Sequence, residues 1–140
     1  MPKSLIRLCG LALLGTLAAC ETFCPPAALP AGAVRLAPPA QYLTWWEATE
    51  VCSGRSRSFE RLEWYVVPGV RTFSTSAGAR VGEWSHSSAG VRIVLADDYA
   101  DNELVVRHEM LHALLDREGH PAEYFEQRCR LTWESWGHPE

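Results

Sequence analysis

One segment of the chain has the sustained periodicity of a buried α-helix, and it constrains the fold more than any other feature. Its apolar residues recur at helical spacing as far as Leu115. Acidic residues, the first Asp97 and the last Glu103, crowd its start, where they suit the positive end of a helix dipole. Gly119 and Pro121 end the pattern. These features predict one long helix packed into a folded core.

Two histidines, His108 and His112, lie inside this predicted helix, and Glu109 lies between them. Residues four apart share a helix face, so both imidazoles can bind one metal ion. Zinc accepts neutral imidazole nitrogen, and a catalytic zinc site uses three protein ligands and a water. The metal lowers the pKa of that water toward about 7, and a neighbouring carboxylate can accept its proton. The spacing therefore predicts one Zn²⁺ per chain, with Glu109 as general base.

Residues 108–112 (HEMLH) form an HExxH motif, and here the chain resembles the zincin superfamily of metallopeptidases. The stretch 108–125, HEMLHALLDREGHPAEYF, is similar to the active-site region of SprT-type zincins, in which a third histidine follows a glycine. The resemblance implies that His120 is the third zinc ligand and that peptides or proteins are the substrate. The metzincin branch does not fit, because Leu115 and Glu118 stand where it requires glycine and histidine.

Several alternatives stay open at this point. In a gluzincin-type site, Glu123 or Glu126 would replace His120 as the third ligand. A structural zinc would be closed by a fourth protein ligand, and the histidines could also lie on a solvated helix face without metal. The rival function is accordingly a non-catalytic envelope lipoprotein that binds another component, with a structural zinc or with no metal.

Substrate-binding residues are also implied by the resemblance. Zincins have an edge strand before the active-site helix that pairs with the substrate backbone, and residues 91–95 (VRIVL) occupy that place. Val91, Ile93 and Leu95 are therefore candidates for substrate binding by strand addition, the alternative being a core strand. Tyr124 could donate a hydrogen bond to the developing oxyanion, although a tyrosine in such a position more often packs.

The remaining periodicity predicts an α+β fold. A zincin-like small mixed β-sheet would lie between an N-terminal helix, the HExxH helix and a short C-terminal helix. The predicted helices are 42–52 and 122–130, and the predicted strands are 61–67, 70–75, 80–85 and 91–95.

The start of the chain predicts an export signal. Lys3 and Arg7 are followed by a Leu/Ala-rich stretch shorter than the roughly 20 residues that span a bilayer. Residues 17–20 (LAAC) resemble a bacterial lipobox, which implies cleavage before Cys20 and lipidation of that cysteine; an ordinary cleavage site is the alternative. Glu21 follows instead of Asp, which favours the outer membrane or cell surface.

These features divide the chain into a leader (1–19), a lipidated cysteine with a Pro/Ala-rich tether (20–40) and a zincin-like metallopeptidase domain (41–140). Two of the 13 Lys and Arg residues lie in the leader, so the mature chain has 11 against 17 acidic residues and a net charge of −6. So acidic an exported chain lacks the basic surface that nucleic acids require, and it excludes nucleic-acid functions. The expected contacts are the membrane, through the lipid, and an envelope protein partner.

Cysteine usage agrees with export, because disulfides persist outside the cytosol. With Cys9 in the leader and Cys20 lipidated, three of the five cysteines remain, and they allow three single pairings. The pair Cys52–Cys129 is favoured because both residues lie in the predicted domain, whereas Cys24 lies in the tether. Three free thiols are the alternative.

Overall fold

The computed structural model describes residues 28–137. The predicted leader, the lipobox cysteine Cys20 and the tether cysteine Cys24 lie outside these residues. In the described part of the chain, none of the helices combines the length and the apolar character that a membrane span requires. This part has an α+β fold, as predicted, in which helices pack against a mixed four-stranded sheet and a separate two-stranded hairpin lies beside it.

The helical elements are α1 (Ala40–Ser53), α2 (Glu103–Leu115), a π-helical turn (Glu123–Arg128) and 3-10 turns at Phe59–Arg61 and Asp97–Tyr99. The strands are β1 (Val34–Arg35), β2 (Leu62–Val67), β3 (Phe73–Thr75), β4 (Gly78–Arg80), β5 (Gly82–Ser87) and β6 (Gly90–Ala96).

The four-stranded sheet has the order β1-β2-β6-β5, so β6 is an interior strand and β5 is an edge strand. β6 is parallel to β2 and antiparallel to β5. The predicted strand 80–85 is in fact divided between two sheets. Arg80 pairs with Phe73 in the β3–β4 hairpin, whereas Gly82 pairs with Leu95 of β6. The chain therefore changes partner at Val81, which the local pattern does not reveal.

The ordered domain begins earlier than the predicted boundary at residue 41. Val34 and Arg35, in the predicted tether, form β1 and pair with β2. The Leu36 N–H then donates to the Trp64 carbonyl oxygen at 2.9 Å. Proline-rich sequence is compatible with a short edge strand, because such a strand has a backbone side that pairs with nothing.

The main core lies between α1, α2 and the sheet. Tyr42 and Trp46 lie four residues apart on α1 and are both buried, together with Trp64, Ile93 and Met110. This spacing places the two α1 rings on one helix face, as the predicted amphipathic pattern requires. The core therefore fixes one side of α2 firmly against the rest of the domain.

A second buried cluster lies beneath the other side of α2, around the disulfide. Cys52 and Cys129 are bonded, which confirms the favoured pairing, and their Cα atoms are 5.1 Å apart. The predicted C-terminal helix is present, but its geometry is π-helical: the Cys129 N–H donates to Tyr124 O, five residues back, at 2.9 Å. The disulfide thus attaches the π-helical turn to the end of α1, where Phe125 and Leu131 pack against α2.

Candidate metal centre

Helix α2 begins at a well-defined cap. The Asn102 side chain accepts a hydrogen bond from the Val105 N–H at 3.1 Å. The acidic run at its predicted start is divided, because Asp97–Tyr99 form a separate 3-10 turn and the helix itself starts at Glu103. The helix ends at Leu115, followed by Asp116 with a left-handed φ of 53°. The HExxH motif therefore lies in the last two turns of a helix that is mostly buried.

Three imidazole rings converge beside these turns. Nε2 of His120 lies 2.9 Å from Nε2 of His108 and 3.2 Å from Nε2 of His112. The chain reverses between Leu115 and His120, and Gly119 takes a φ of 78° in this reversal. Helical spacing places the first two histidines, and this turn brings the third one to them.

Backbone carbonyl groups determine which imidazole nitrogens carry protons. Nδ1 of His108 lies 2.6 Å from the Leu131 oxygen, and Nδ1 of His112 lies 3.0 Å from the Arg117 oxygen. A carbonyl oxygen can only accept, so Nδ1 is the donor in both rings. In the neutral imidazole, Nε2 then has no hydrogen and presents its lone pair. Both lone pairs are directed toward His120, and this is the tautomer that a metal ligand requires.

Both helix histidines are kept neutral by their surroundings. Burial lowers the pKa of His108, with a further decrease from His120 and an opposing hydrogen bond to Leu131. Burial also lowers the pKa of His112 to about 4, and the neighbouring histidines act in the same direction. A neutral imidazole is the form that binds metal, so both residues are in the ligand state near neutral pH.

The three-histidine group fits zinc. With Zn–N bonds of about 2.0–2.1 Å, tetrahedral geometry places ligand nitrogens about 3.3 Å apart. The His120 nitrogen lies 2.9 and 3.2 Å from the other two, and all three ligand atoms lie within 4.8 Å of one another. Among residues 28–137, this is the one group of three potential ligands whose atoms lie within 4.8 Å of one another. Of the alternative third ligands, Glu123 lies 3.6 Å from Arg128 in an ion pair, and Glu126 lines the cleft beside the histidines.

Aromatic rings fix the imidazoles in position. The centroid of the fully buried Phe125 ring lies 4.8–4.9 Å from each of the three imidazole rings. Trp84 of β5 stacks on His112 at 6.0 Å with an interplanar angle of 18°. These contacts restrict ring rotation, so the three imidazole rings are oriented before any ion binds.

Glu109 lies on the β5 side of the same group and is only 8% exposed. Burial, together with the charge of the nearby Glu83, raises the pKa of its carboxyl group to about 8. A hydrogen bond with the Trp84 backbone and the charge of Arg80 act in the opposite direction. The carboxyl group packs so closely on Gly82 that a Cβ atom there would lie 2.8 Å from Oε1.

These groups share one open cleft of about 820 Å³. Its floor contains His108, Glu109, His112 and His120. The β3–β4 hairpin and β5 form one wall, and the loop at Thr132–Glu134 forms the other. An ion bound by three imidazoles would therefore face a space large enough for a bound molecule, as an open catalytic site requires.

Two predicted substrate-binding assignments are wrong. The strand that contains Val91, Ile93 and Leu95 is not an edge strand: β6 lies between β2 and β5, so both of its backbone edges are already paired. Ile93 and Leu95 are also fully buried in the core. Tyr124 points away from the cleft, and its hydroxyl group accepts a hydrogen bond from Arg55 at 3.1 Å.

Sequence reasoning missed the contribution of β5. Gly82 and Trp84 line the cleft and contact the motif residues, whereas the sequence predicts only an ordinary strand over 80–85. The alternation of Gly82, Trp84 and His86 indicates a strand face, yet nothing in it identifies which strand borders α2. That assignment depends on the sheet order.

No protein-family model, curated protein or solved structure matches this chain. A functional assignment therefore depends on the chemistry of the cleft.

Proposed function

We propose that this protein is a zinc-dependent metallopeptidase of the zincin type, anchored to a bacterial membrane as a lipoprotein. One observation carries the proposal: the Nε2 atoms of three imidazoles converge beside a buried glutamate in an open cleft, and the two helix histidines present lone pairs there. His108, His112 and His120 are the proposed zinc ligands, and Glu109 is the proposed general base. When bound, zinc would acidify a water molecule and polarise the scissile carbonyl group.

The surroundings of Glu109 support this role. A general base must be ionised before it accepts a proton, and burial opposes ionisation here. A cation in the same cleft favours the carboxylate form, so zinc binding and ionisation of Glu109 support each other. The Trp84 backbone and Gly82 fix the carboxyl group on the side of the cleft next to the histidines.

Strand β5 is the proposed substrate-pairing strand in place of β6. The Ala96 N–H donates to the Val81 oxygen at 2.8 Å, and hydrogen-bonded pairs alternate along an antiparallel ladder. The backbone groups of Gly82 and the Trp84 carbonyl oxygen therefore point away from β6, toward the outer edge of β5 along the cleft, where the Trp84 N–H is already bonded to Glu109. An extended peptide could add to this edge, with its scissile bond near the proposed zinc.

Zinc content tests the ligand assignment. The purified full chain, dialysed against zinc and analysed by elemental mass spectrometry, should contain one zinc per molecule. His108→Ala, His112→Ala and His120→Ala should each lose or greatly weaken zinc binding. His86→Ala is the matched control, because His86 pairs with Asp116 outside this group and its loss should leave zinc bound. A folded wild-type chain without zinc would refute the proposal.

Peptide hydrolysis distinguishes the proposed enzyme from the alternative, a non-catalytic envelope lipoprotein. Glu109→Gln keeps the shape of the protonated side chain, so it should retain zinc but lose peptide hydrolysis. If the wild-type chain binds zinc and cleaves no peptide in a diverse fluorogenic library, the non-catalytic envelope module becomes the better assignment. Hydrolysis by Glu109→Gln at the wild-type rate would refute the general-base role.

The membrane anchor has a separate test. Labelled fatty acid should be incorporated into the wild-type chain in bacteria and not into Cys20→Ala. A Cys24→Ala control should be labelled normally, because the lipobox precedes Cys20 only. Equal labelling of the Cys20→Ala variant would exclude this anchor and would leave the peptidase proposal unaffected.

A further inference from the structure

The walls of the cleft carry a strong excess of negative charge. Glu83, Glu118, Glu126 and Glu134 line it, against a single basic residue, Arg80. Within residues 28–137, the carboxylates of Glu118, Glu126 and Glu134 form no ion pair. The field in the cleft therefore favours a cationic ligand and disfavours an anionic one.

One wall also presents an exposed aromatic side chain. Trp133 lines the cleft and is 62% exposed, whereas Leu131, which also lines the cleft, is fully buried. Tyr99 supports the indole edge-on, with ring centroids 6.4 Å apart. An exposed indole supported from behind is typical of a surface that binds a large apolar side chain.

A smaller depression of about 290 Å³ continues from the cleft. Glu126, Thr132 and Glu134 line both spaces, and Ser135 completes the smaller one. The two carboxylates provide acceptors for an ammonium or guanidinium group, and the Thr132 and Ser135 hydroxyl groups are hydrogen-bonded to each other at 2.8 Å. The depression lies next to Trp133 in sequence and space, so an apolar and a cationic side chain of one ligand could bind together.

We infer that the ligand of this cleft is a positively charged peptide in which a large apolar residue packs on Trp133 and a nearby Lys or Arg reaches Glu126 and Glu134. The inference rests on the proposed peptidase function and adds the substrate class. The cleft also contains buried polar groups apart from its acidic wall, because Glu109 and His112 line it and are each only 8% exposed.

Binding to an inactive protein tests this inference apart from catalysis. The probes are fluorescein-labelled octapeptides with a central Phe, flanked either by Lys or by Glu at the same positions, and a Lys-flanked peptide with Ala in place of Phe. Fluorescence anisotropy on the zinc-loaded full-length Glu109→Gln protein should show at least about tenfold tighter binding of the Lys/Phe peptide than of its Glu counterpart. The preference should decrease strongly in 0.5 M salt, because screening acts on exposed charges.

Substitutions in this background assign the two contacts. Trp133→Ala should weaken the Lys/Phe peptide about tenfold and leave the Lys/Ala peptide nearly unchanged. Glu126→Gln with Glu134→Gln should reduce the preference for Lys. Glu47→Gln with Glu60→Gln is the matched control, because it removes the same charge from surface residues outside the cleft.

The outcomes separate this inference from the proposed function. Equal binding of the Lys and Glu peptides, no detectable binding of either, or an equal loss in the control pair would overturn the inference. Cleavage by the wild-type chain without charge preference would overturn it as well and leave the peptidase intact. Charge-selective binding through Trp133 without any cleavage would support the ligand class and refute the peptidase.

Discussion

Gly82 and Glu109 form a contact whose energetic coupling can be worked out from the structure. A Cβ atom at position 82 would lie 2.8 Å from Oε1, 2.9 Å from Cγ and 3.2 Å from Cδ of Glu109. Favourable carbon contacts lie at about 3.5–4.0 Å, so Gly82→Ala requires the buried carboxyl group to move by roughly 0.5–1 Å. Overpacking of this kind typically costs about 1–3 kcal/mol.

A second substitution removes the clash and isolates its cost. In a Glu109→Ala background the space beside position 82 is free. Gly82→Ala should then stabilise the fold by about 0.4–1 kcal/mol, because alanine lowers the entropy of the unfolded chain. The difference between the two backgrounds is the coupling energy, and we expect about 1.4–4 kcal/mol. For a domain near 100 residues, each kcal/mol corresponds to a shift of about 4–8 °C in Tm.

Urea denaturation of the four proteins measures this coupling: wild type, Gly82→Ala, Glu109→Ala and the double variant, all with a chelator present. The chelator removes any contribution of bound metal to the unfolding free energy. An equal effect of Gly82→Ala in both backgrounds would refute the close packing of β5 on Glu109. The proposed position of the general base would be refuted with it.

Three further predictions concern stability. The double variant Cys52→Ser with Cys129→Ser should lower the free energy of unfolding by about 2–5 kcal/mol in urea denaturation and should also weaken zinc binding. Unchanged zinc affinity would show that the disulfide does not support the site. Asn102→Ala should cost about 0.5–2 kcal/mol in the same assay while Asn102→Asp costs less, and an equal loss in both would exclude the cap. In the metal-free protein, the pKa of the Glu109 carboxyl group is about 8 in the folded state and 4.5 in the unfolded state. The folded state therefore holds this proton more tightly, and the contribution of Glu109 to the free energy of unfolding falls as pH rises from 4.5 to 8. The pKa of His112 is about 4 in the folded state and 6.5 in the unfolded state. Its contribution to the free energy of unfolding is therefore lost as pH falls from 6.5 to 4. Unfolding free energies measured from pH 4 to 9 should therefore fall between about pH 6.5 and 8, and Glu109→Gln should remove that fall; a fall of the same size in the variant would assign it to another group.

The local features of the candidate site were predictable because they depend on neighbours in sequence. Helical spacing places His108 and His112 on one face whatever surrounds them. Gly119 could be recognised as a reversal point before His120, and the structure brings that histidine to the other two. One error concerns side-chain direction after the helix. Tyr124 and Phe125 are adjacent aromatic residues, and only the packing of the π-helical turn decides that Phe125 faces the histidines.

The sequence by itself determined the α+β class and helix α2 with its motif, and it favoured the pairing of Cys52 with Cys129 that the structure contains. Tertiary structure alone decided that β6 is interior and β5 borders the cleft, because strand order depends on contacts between distant segments. It also decided the tautomers of the two helix histidines, since the orienting groups are backbone carbonyls at Leu131 and Arg117. Every residue has a carbonyl group, so only folding can select which ones meet an imidazole.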